Sequence, residues 1–382
     1  MMQTKRARLS SDANDIGRFL EISVKQVIQL SSNIQNVSAI AAWTPSQLRQ
    51  TSANASSKPN TPCFVIGTST GGISLVYENG IEVTLENPGG PAVVRLLAKD
   101  STAPQMETSQ SSTKSMPDII AGDADGRVTA YVLGQVFSRI TLPAPISALS
   151  LDLNPNTPSS FLAGDMSGTV ASCHTQNTLW KAQMDSLVLS MDLRSSSDQL
   201  LDPAVSSTCS VWLPDKHGLL TNYVLAASAL GFLQLLSRGI PIHTISLRAP
   251  AVCMCSGVFI ESEAHESPGS KNTQAIIGDE MGQLLVLENF ELVLYAQMEF
   301  PISHLFALPM KLFVDQEGPD VVVCATRSDT IYVLHRKKVI ATYTADFWPA
   351  AVDVTVLADT GPALVLVDSD SGNGSVHVVS LK

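Results

Sequence analysis

The fold is decided by a short pattern, Phe64-Val-Ile-Gly-Thr-Ser-Thr-Gly-Gly-Ile-Ser-Leu75, which recurs along the chain. Close copies are Ile119-Ile-Ala-Gly-Asp-Ala-Asp-Gly-Arg-Val-Thr-Ala130, Phe161-Leu-Ala-Gly-Asp-Met-Ser-Gly-Thr-Val-Ala171 and Ala275-Ile-Ile-Gly-Asp-Glu-Met-Gly-Gln-Leu-Leu-Val286. Each copy indicates a strand, a tight glycine-bearing turn and a second strand. Degenerate copies begin at Val224, Val322 and Leu364, which makes seven repeats.

Each copy is flanked by further strand-like segments. An extended run precedes it, as in Pro145-Ile-Ser-Ala-Leu-Ser-Leu151, and another strand follows it, as in Leu133-Gly-Gln-Val-Phe-Ser-Arg-Ile-Thr-Leu142. Four-stranded units that recur about every 40 to 50 residues are typical of a β-propeller, in which each sheet packs between its neighbours. The sequence therefore predicts an all-β fold, a single seven-bladed β-propeller over residues 19–382.

The two ends of the chain complement each other. The last repeat stops at Leu381, one strand short of four, and the run Phe19–Leu30 precedes the first inner strand. We expect this N-terminal run to close the ring as the outer strand of the last blade, which removes an open sheet edge. Residues 1–18 are predicted to be disordered, and exposed polar inserts are predicted near 44–61, 99–116, 194–210 and 261–273.

Composition excludes several classes of partner. The chain has 45% apolar and 15% charged residues and a net charge of −11, which opposes binding to nucleic acid or to an anionic membrane surface. Its six cysteines are scattered, and no run reaches the roughly 18 apolar residues of a membrane span. The first fifteen residues are polar, unlike a signal peptide. These features predict a soluble, cytoplasmic protein with no direct membrane insertion.

The turns of the repeat are predicted to be structural. In Gly-Asp-x-x-Gly the aspartate can accept backbone N–H groups and the last glycine can adopt a positive φ. The predicted turn residues are Gly67, Gly122, Asp123, Gly126, Gly164, Asp165, Gly168, Gly278, Asp279 and Gly282. Calcium binding is the alternative for Asp123-Ala-Asp-Gly126, but the long series of oxygen ligands that calcium needs is missing there. Asp368-Ser-Asp-Ser-Gly-Asn-Gly374 has alternating oxygen-bearing residues before a glycine and is the better calcium candidate, although a turn is favoured there too.

No stretch of the sequence indicates a reaction. The seven histidines are dispersed, and no phosphate-binding loop, nucleophile elbow or kinase motif is present. Cys253-Met-Cys255 places two thiols on one face of a strand, where core packing is favoured over metal binding. The sequence thus predicts no catalytic residue, no cofactor and no metal.

The later repeats resemble a known family. Gly282-Gln-Leu-Leu-Val-Leu-Glu288, Leu305-Phe-Ala-Leu308, Asp320-Val-Val-Val-Cys-Ala325 and Ile331-Tyr-Val-Leu-His-Arg-Lys-Lys-Val-Ile340 are similar in order and spacing to blades of the integrin-alpha FG-GAP repeat-containing family of the KICSTOR complex. Val24–Leu30 and Gly122–Val128 resemble its opening, and the sharpest likeness covers residues 275 to 345.

This resemblance implies a non-enzymatic scaffold. It would pair with a second, kaptin-like propeller in a hetero-oligomer. It would also help to hold the GATOR complex that restrains TOR kinase signalling, with recruitment to the lysosomal surface.

Two alternatives stay open at this point. The first is a coat or cargo-adaptor propeller of the BBSome type, and the second is a propeller with a small-ligand or catalytic site in its central channel. Aromatic residues that could anchor an interface are Trp43, Trp212, Phe347 and Trp348, with burial inside a blade as the alternative for each.

Overall fold

The computed structural model describes residues 20–31, 34–43, 62–77, 82–87, 89–99, 118–152, 160–174, 177–184, 187–188, 200–201, 203–215, 217–260, 273–314, 317–357, 361–368 and 374–381. These residues form an almost purely β structure. The first half of the chain contains β1 (Ile22–Gln29), β2 (Val37–Ala42), β3 (Pro62–Thr68), β4 (Ile73–Tyr77), β5 (Glu82–Glu86), β6 (Val93–Lys99), β7 (Asp118–Asp123), β8 (Arg127–Val132), β9 (Gln135–Thr141), β10 (Ile146–Leu151), β11 (Phe161–Asp165), β12 (Thr169–Cys173), β13 (Thr178–Gln183), β14 (Leu187–Val188) and β15 (Leu200–Leu201).

The second half continues the same pattern. It contains β16 (Val205–Pro214), β17 (Leu220–Ser228), β18 (Phe232–Ser237), β19 (Ile240–Ser246), β20 (Ala251–Gly257), β21 (Gln274–Asp279), β22 (Gln283–Glu288), β23 (Glu291–Gln297), β24 (Ile302–Leu308), β25 (Val321–Thr326), β26 (Thr330–His335), β27 (Lys338–Thr344), β28 (Ala351–Leu357), β29 (Gly361–Asp368) and β30 (Ser375–Leu381). A 3-10 turn, Met310–Leu312, follows β24. No helix in this described part of the chain is long and apolar enough to cross a membrane.

The strands form seven four-stranded antiparallel sheets, which are the blades. Blade 1 is β2–β5, blade 2 is β6–β9, blade 3 is β10–β13, blade 4 is β16–β19, blade 5 is β20–β23 and blade 6 is β24–β27. A two-stranded hairpin, β14–β15, lies in the chain between blades 3 and 4. The predicted seven-bladed all-β propeller is confirmed.

Blade 7 joins the two ends of the chain. Its strand order is β28–β29–β30–β1, so the N-terminal strand is the outer strand of the last blade. β1 runs antiparallel to β30 with Ile22 opposite Leu381 and Ile28 opposite Val376. The predicted closure by the N-terminal strand is confirmed.

The core is divided into layers between blades. Among the described residues, seven hydrophobic clusters occur, one between each pair of neighbouring blades. The second and third strands of a blade are therefore covered on both faces, and every residue of β12 is buried. This explains why the repeats read as continuous apolar runs instead of alternating ones.

Four repeat glycines allow neighbouring blades to approach closely. A Cβ atom on Gly67, Gly122, Gly164 or Gly278 would lie 2.5–2.6 Å from a side-chain carbon of the next blade. The residues that occupy this space are Val93, Ile146, Val205 and Ile302, each the first residue of the next inner strand. Between blades 4 and 5 the corresponding residues are Ala227 and Ala251, both buried in one cluster. At these five contacts a glycine thus faces a valine or isoleucine, and an alanine faces an alanine.

One predicted boundary is wrong. The insert predicted over 194–210 overlaps β16, which begins at Val205, and Thr208 and Ser210 are buried. These polar residues suit an inner strand because their hydroxyls have partners: Thr208 Oγ1 lies 2.9 Å from Ser150 Oγ, and Ser210 Oγ lies 2.7 Å from Asn222 Oδ1. The segment 1–18 and the inserts 44–61, 99–116 and 261–273 lie outside the described residues, except for the end residues Lys99 and Thr273.

Candidate functional site: the turn face and the channel mouth

One face of the disc carries the repeat turns. We call it the turn face: it holds the turns between the second and third strands of the blades and the links from each outer strand to the next blade. Backbone hydrogen bonds join the two sets, for example Leu142 N–H to the Gly126 carbonyl at 2.9 Å and Met298 N–H to the Gly282 carbonyl at 2.8 Å. The inner strands begin at this face, so the mouth of the central channel opens there.

The repeat aspartates hold the turns together. In each Gly-Asp turn the carboxylate Oδ1 accepts two backbone N–H groups, from the residues two and four positions further on. The bonds are from Asp125 and Arg127 to Asp123, from Ser167 and Thr169 to Asp165, and from Met281 and Gln283 to Asp279, all at 2.7–3.0 Å. The closing glycines 126, 168 and 282 have φ of 80°, 88° and 78°.

These carboxylates are engaged with the backbone rather than gathered around a common point. Within the described residues, no group of three or more His, Cys, Asp or Glu side chains is arranged to hold a metal ion. Burial raises the pKa of Asp279, against the opposing effect of its two backbone hydrogen bonds. The turn of blade 7 contains Asp370 and Asn373, which lie outside the described residues.

The four aromatic candidates have different environments. Trp43 is buried, which agrees with the alternative of burial inside a blade and not with a role as an interface anchor. Trp212 is half-buried on β16, and its backbone N–H and carbonyl bond to Thr273 Oγ1 and N–H at 2.8 and 3.1 Å. Phe347 packs on the His377 ring with centroids 4.5 Å apart. Trp348 alone projects outwards, with 70% of its surface exposed.

Trp348 belongs to a group of exposed apolar residues that the sequence analysis did not find. Met281 is 68% exposed in the turn of blade 5, and Phe300 is 37% exposed in the link from blade 5 to blade 6. We call Met281, Phe300 and Trp348 the apolar sector. The ion pair between Glu280 and Arg327, 3.5 Å apart, lies within it and joins the turns of blades 5 and 6.

Backbone hydrogen bonds join the turns and links that carry the apolar sector. Besides the Met298–Gly282 bond, Arg327 N–H donates to the Pro301 carbonyl at 2.7 Å and Ala345 N–H donates to the Asp329 carbonyl at 2.9 Å. The turn of blade 5, its link, the turn of blade 6 and its link are therefore fixed side by side. Apolar side chains on such a rigid frame need little ordering when a partner binds.

The channel mouth is lined by the starts of the inner strands. In six of the seven blades the pairing of the inner strand shifts at its second residue, as a β-bulge does. The residues after the bulges include Arg95, Ser207, Cys253 and His304, and two of them, Arg95 and Ser207, bond to the next blade. Ser207 Oγ, for example, accepts Met254 N–H of blade 5 at 3.0 Å.

Arg95 is the cation of this ring of residues. Its side chain is exposed, yet desolvation lowers its pKa, which places the guanidinium in an accessible space enclosed by protein. Arg95 Nε donates to the Ser147 carbonyl of blade 3 at 2.8 Å, and Nη1 donates to the Val94 carbonyl at 3.1 Å. Burial lowers the pKa of His304 to about 4, and the charge of Arg95 contributes, so His304 is neutral at pH 7.

Comparison with known proteins supports the fold. No protein-family model matches the chain, and no curated protein matches it. It is similar to the crystal structure of BBS1N in complex with ARL6DN, with 11% identity and a TM-score of 0.57 over 84% of this chain and 86% of that one. It is also similar to the WD40 β-propeller domain of Doa1, with 11% identity and a TM-score of 0.59 over 94% of this chain and 97% of that one. At this identity the likeness concerns the fold alone: the chain is a seven-bladed β-propeller of WD40-like architecture, a fold typical of protein-interaction scaffolds.

Proposed function

We propose that this propeller is a non-enzymatic interaction scaffold and that a folded protein partner docks on the apolar sector of its turn face. The observation that carries the proposal is the exposure of Trp348, Met281 and Phe300 on turns and links that backbone hydrogen bonds join. Tryptophan, phenylalanine and methionine are enriched at the centres of protein interfaces, where they fill pockets of the partner.

The surroundings of the apolar sector suit a protein partner. Glu280 and Arg327 are each about half exposed, so they can form the polar rim of a contact and change partners when it closes. The neighbouring Phe347 packs against the hydrophobic cluster between blades 6 and 7 and against the His377 ring. These contacts fix the segment from which Trp348 projects. A nucleic-acid partner is disfavoured by the net charge of −11.

The docking surface can be tested with a double variant, Phe300→Ala with Trp348→Ala. We expect it to weaken the partner complex at least tenfold, because central aromatic anchors often contribute about 2 kcal/mol or more each. The measurement is quantitative recovery of partners by affinity purification, followed by titration of the purified partner. Leu219→Ala is the matched control, since Leu219 is 66% exposed in the loop between β16 and β17 on the opposite face. Equal binding by the wild type, the double variant and Leu219→Ala would rule out the turn face as the docking surface.

The narrower proposal concerns the partner. The resemblance to the KICSTOR family is sharpest over residues 275 to 345, which form most of blades 5 and 6 and include Met281 and Phe300. We propose on this basis that the partner is a second, kaptin-like propeller. The assembly would act with GATOR components in negative regulation of TOR signalling, recruited from the cytoplasm to the lysosomal surface.

Affinity purification with mass spectrometry, using the tagged full chain in its own cells, tests this assignment. Recovery of a second propeller together with GATOR components is the expected result. The alternative is a coat or cargo adaptor, and it is favoured by one observation: the similar BBS1N propeller was crystallised in complex with ARL6DN. Recovery of coat or ciliary subunits would replace the KICSTOR assignment by this one. A reproducibly solitary protein would contradict both and direct attention to the channel.

A further inference from the structure

The mouth of the central channel contains a cation without a carboxylate partner. Among the described residues, the ion pairs of arginine involve Arg127, Arg139 and Arg327, and none involves Arg95. Among the described residues, the group that favours the protonated form of Arg95 is the Cys253 thiol. Burial raises the pKa of Cys253 well above its usual value, so this thiol carries no negative charge at neutral pH. A desolvated guanidinium without a negatively charged partner attracts an anion.

The side chain is held in a defined position. Two backbone carbonyls, those of Val94 and Ser147, accept hydrogen bonds from Nη1 and Nε. A guanidinium has five N–H groups, so three remain, two of them on Nη2. The structure shows no partner for these three among the described residues. Such a fork matches the two oxygens of a carboxylate or phosphate.

The charge of Arg95 also acts on groups of the far wall of the channel. Arg95 lies on blade 2, whereas the two groups that it influences electrostatically, Cys253 and His304, lie on blades 5 and 6. In a seven-membered ring these blades stand across the channel from blade 2. The charge therefore acts across the mouth rather than along the wall of its own blade.

A second polar group in this ring of residues lacks a partner. The Nδ1 atom of His304 is buried and has no hydrogen-bond partner among the described residues. A buried polar atom of this kind costs stability unless a ligand or an ordered water bonds to it. Neutral imidazole can donate one hydrogen bond to an oxyanion.

We propose that the channel mouth is a binding site for a small oxyanion, a carboxylate or a phosphate, with Arg95 as the principal ligand and His304 as a supporting donor. Arg95 supplies the charge and the paired N–H groups. This site is distinct from the apolar sector, although both open on the turn face.

The test is thermal unfolding and calorimetric titration of the full-length protein with inorganic phosphate and, separately, with succinate, at constant ionic strength. We expect a saturable rise in Tm for the wild-type protein and at least a tenfold weaker apparent Kd for Arg95→Gln. Arg139→Gln is the matched control, because Arg139 is a half-exposed arginine on outer strand β9. It should respond as the wild type does.

Each outcome decides the proposal. A response to phosphate alone would identify a phosphate site, and a response to succinate alone would identify a carboxylate site. The proposal fails if neither anion shifts the wild-type Tm, or if Arg95→Gln responds as strongly as wild type, since the anions would then act on the surface in general. A lower Tm of Arg95→Gln in the absence of anion does not affect the conclusion, because the measured quantity is the change in Tm that the anion causes. His304→Ala provides an independent variant, with an expected weakening of severalfold.

Discussion

Replacement of Gly122 by alanine is expected to destabilise the propeller by about 1–3 kcal/mol, the usual cost of overfilling a packed core. The added Cβ would lie 2.5 Å from Cγ2 and 2.9 Å from Cβ of Ile146, which is itself almost fully buried between blades 2 and 3. The cost is steric, since Gly122 does not have a positive φ. Urea unfolding of the purified variant measures the change in the free energy of unfolding.

The contact between blades 4 and 5 indicates how this cost can be relieved. There the glycine is replaced by Ala227, and the facing residue is Ala251. Ile146→Ala alone should cost about 2–5 kcal/mol because it leaves a cavity. The double variant Gly122→Ala/Ile146→Ala reproduces the alanine pair, so we expect it to be more stable than the sum of the single changes predicts, by about 1 kcal/mol or more.

The matched control for this cycle is Gly90→Ala. A Cβ on Gly90 would have no atom within 4 Å, and Gly90 has no positive φ, so the change should stay within about 0.5 kcal/mol of wild type. Strictly additive effects in the double variant would mean that Gly122 and Ile146 do not share one packing site. The interpretation of the repeat glycine as a spacer between blades would then be wrong.

The architecture could be predicted from the sequence because its signals are local and repeated. Each repeat places a glycine turn between two strands, and seven such units leave few alternatives to a closed ring of blades. The closure by β1 could be predicted because the last repeat lacks a strand and the first residues contain an unassigned one. The contact between Gly122 and Ile146 could not be predicted, because Ile146 belongs to the next blade.

The start of β16 was missed for a physical reason. Ser206, Ser207, Thr208 and Ser210 look like loop residues, but an inner strand borders the channel and the neighbouring blades, where hydroxyls find partners. Ser206 Oγ bonds to the Ala227 carbonyl at 3.2 Å and Ser210 Oγ bonds to Asp152 at 3.4 Å. Hydrophobic periodicity does not register such tertiary hydrogen bonds.

The candidate sites depend on tertiary position in the same way. Trp43 follows β2 and Trp348 precedes β28, and both have apolar neighbours in the sequence. Trp43 is nevertheless buried, whereas Trp348 is exposed. Met281 and Phe300 are separated in the sequence, and the segments that carry them lie side by side because the Gly282 turn is bonded to the following link. Arg95 could have been noticed as a charge inside the apolar strand Val93–Lys99, but its position in the channel follows from the bulge and from the ring of blades.

The closing strand gives the prediction with the largest expected effect, Ile28→Asp. Ile28 is 5% exposed and lies in the cluster between blades 7 and 1, so the substitution buries an unpaired carboxylate and removes apolar contacts. We expect a loss of about 3 kcal/mol or more in the free energy of unfolding, or detachment of β1 from β30. Detachment would leave the backbone of β30 as an open edge prone to aggregation.

Val27→Asp is the matched control, because Val27 is the neighbouring residue of the same strand and is 44% exposed on its outer side. It should change stability by no more than about 0.5 kcal/mol. Amide hydrogen exchange in β30 distinguishes local from global failure. If β1 detaches while the other blades stay folded, the β30 amides that donate to β1 lose protection in Ile28→Asp and those that donate to β29 keep it. Equal unfolding midpoints and equal protection in the two variants would mean that the ring does not depend on β1. Its stability would then have to come from the contacts of blades 6 and 1 with the remaining three strands of blade 7.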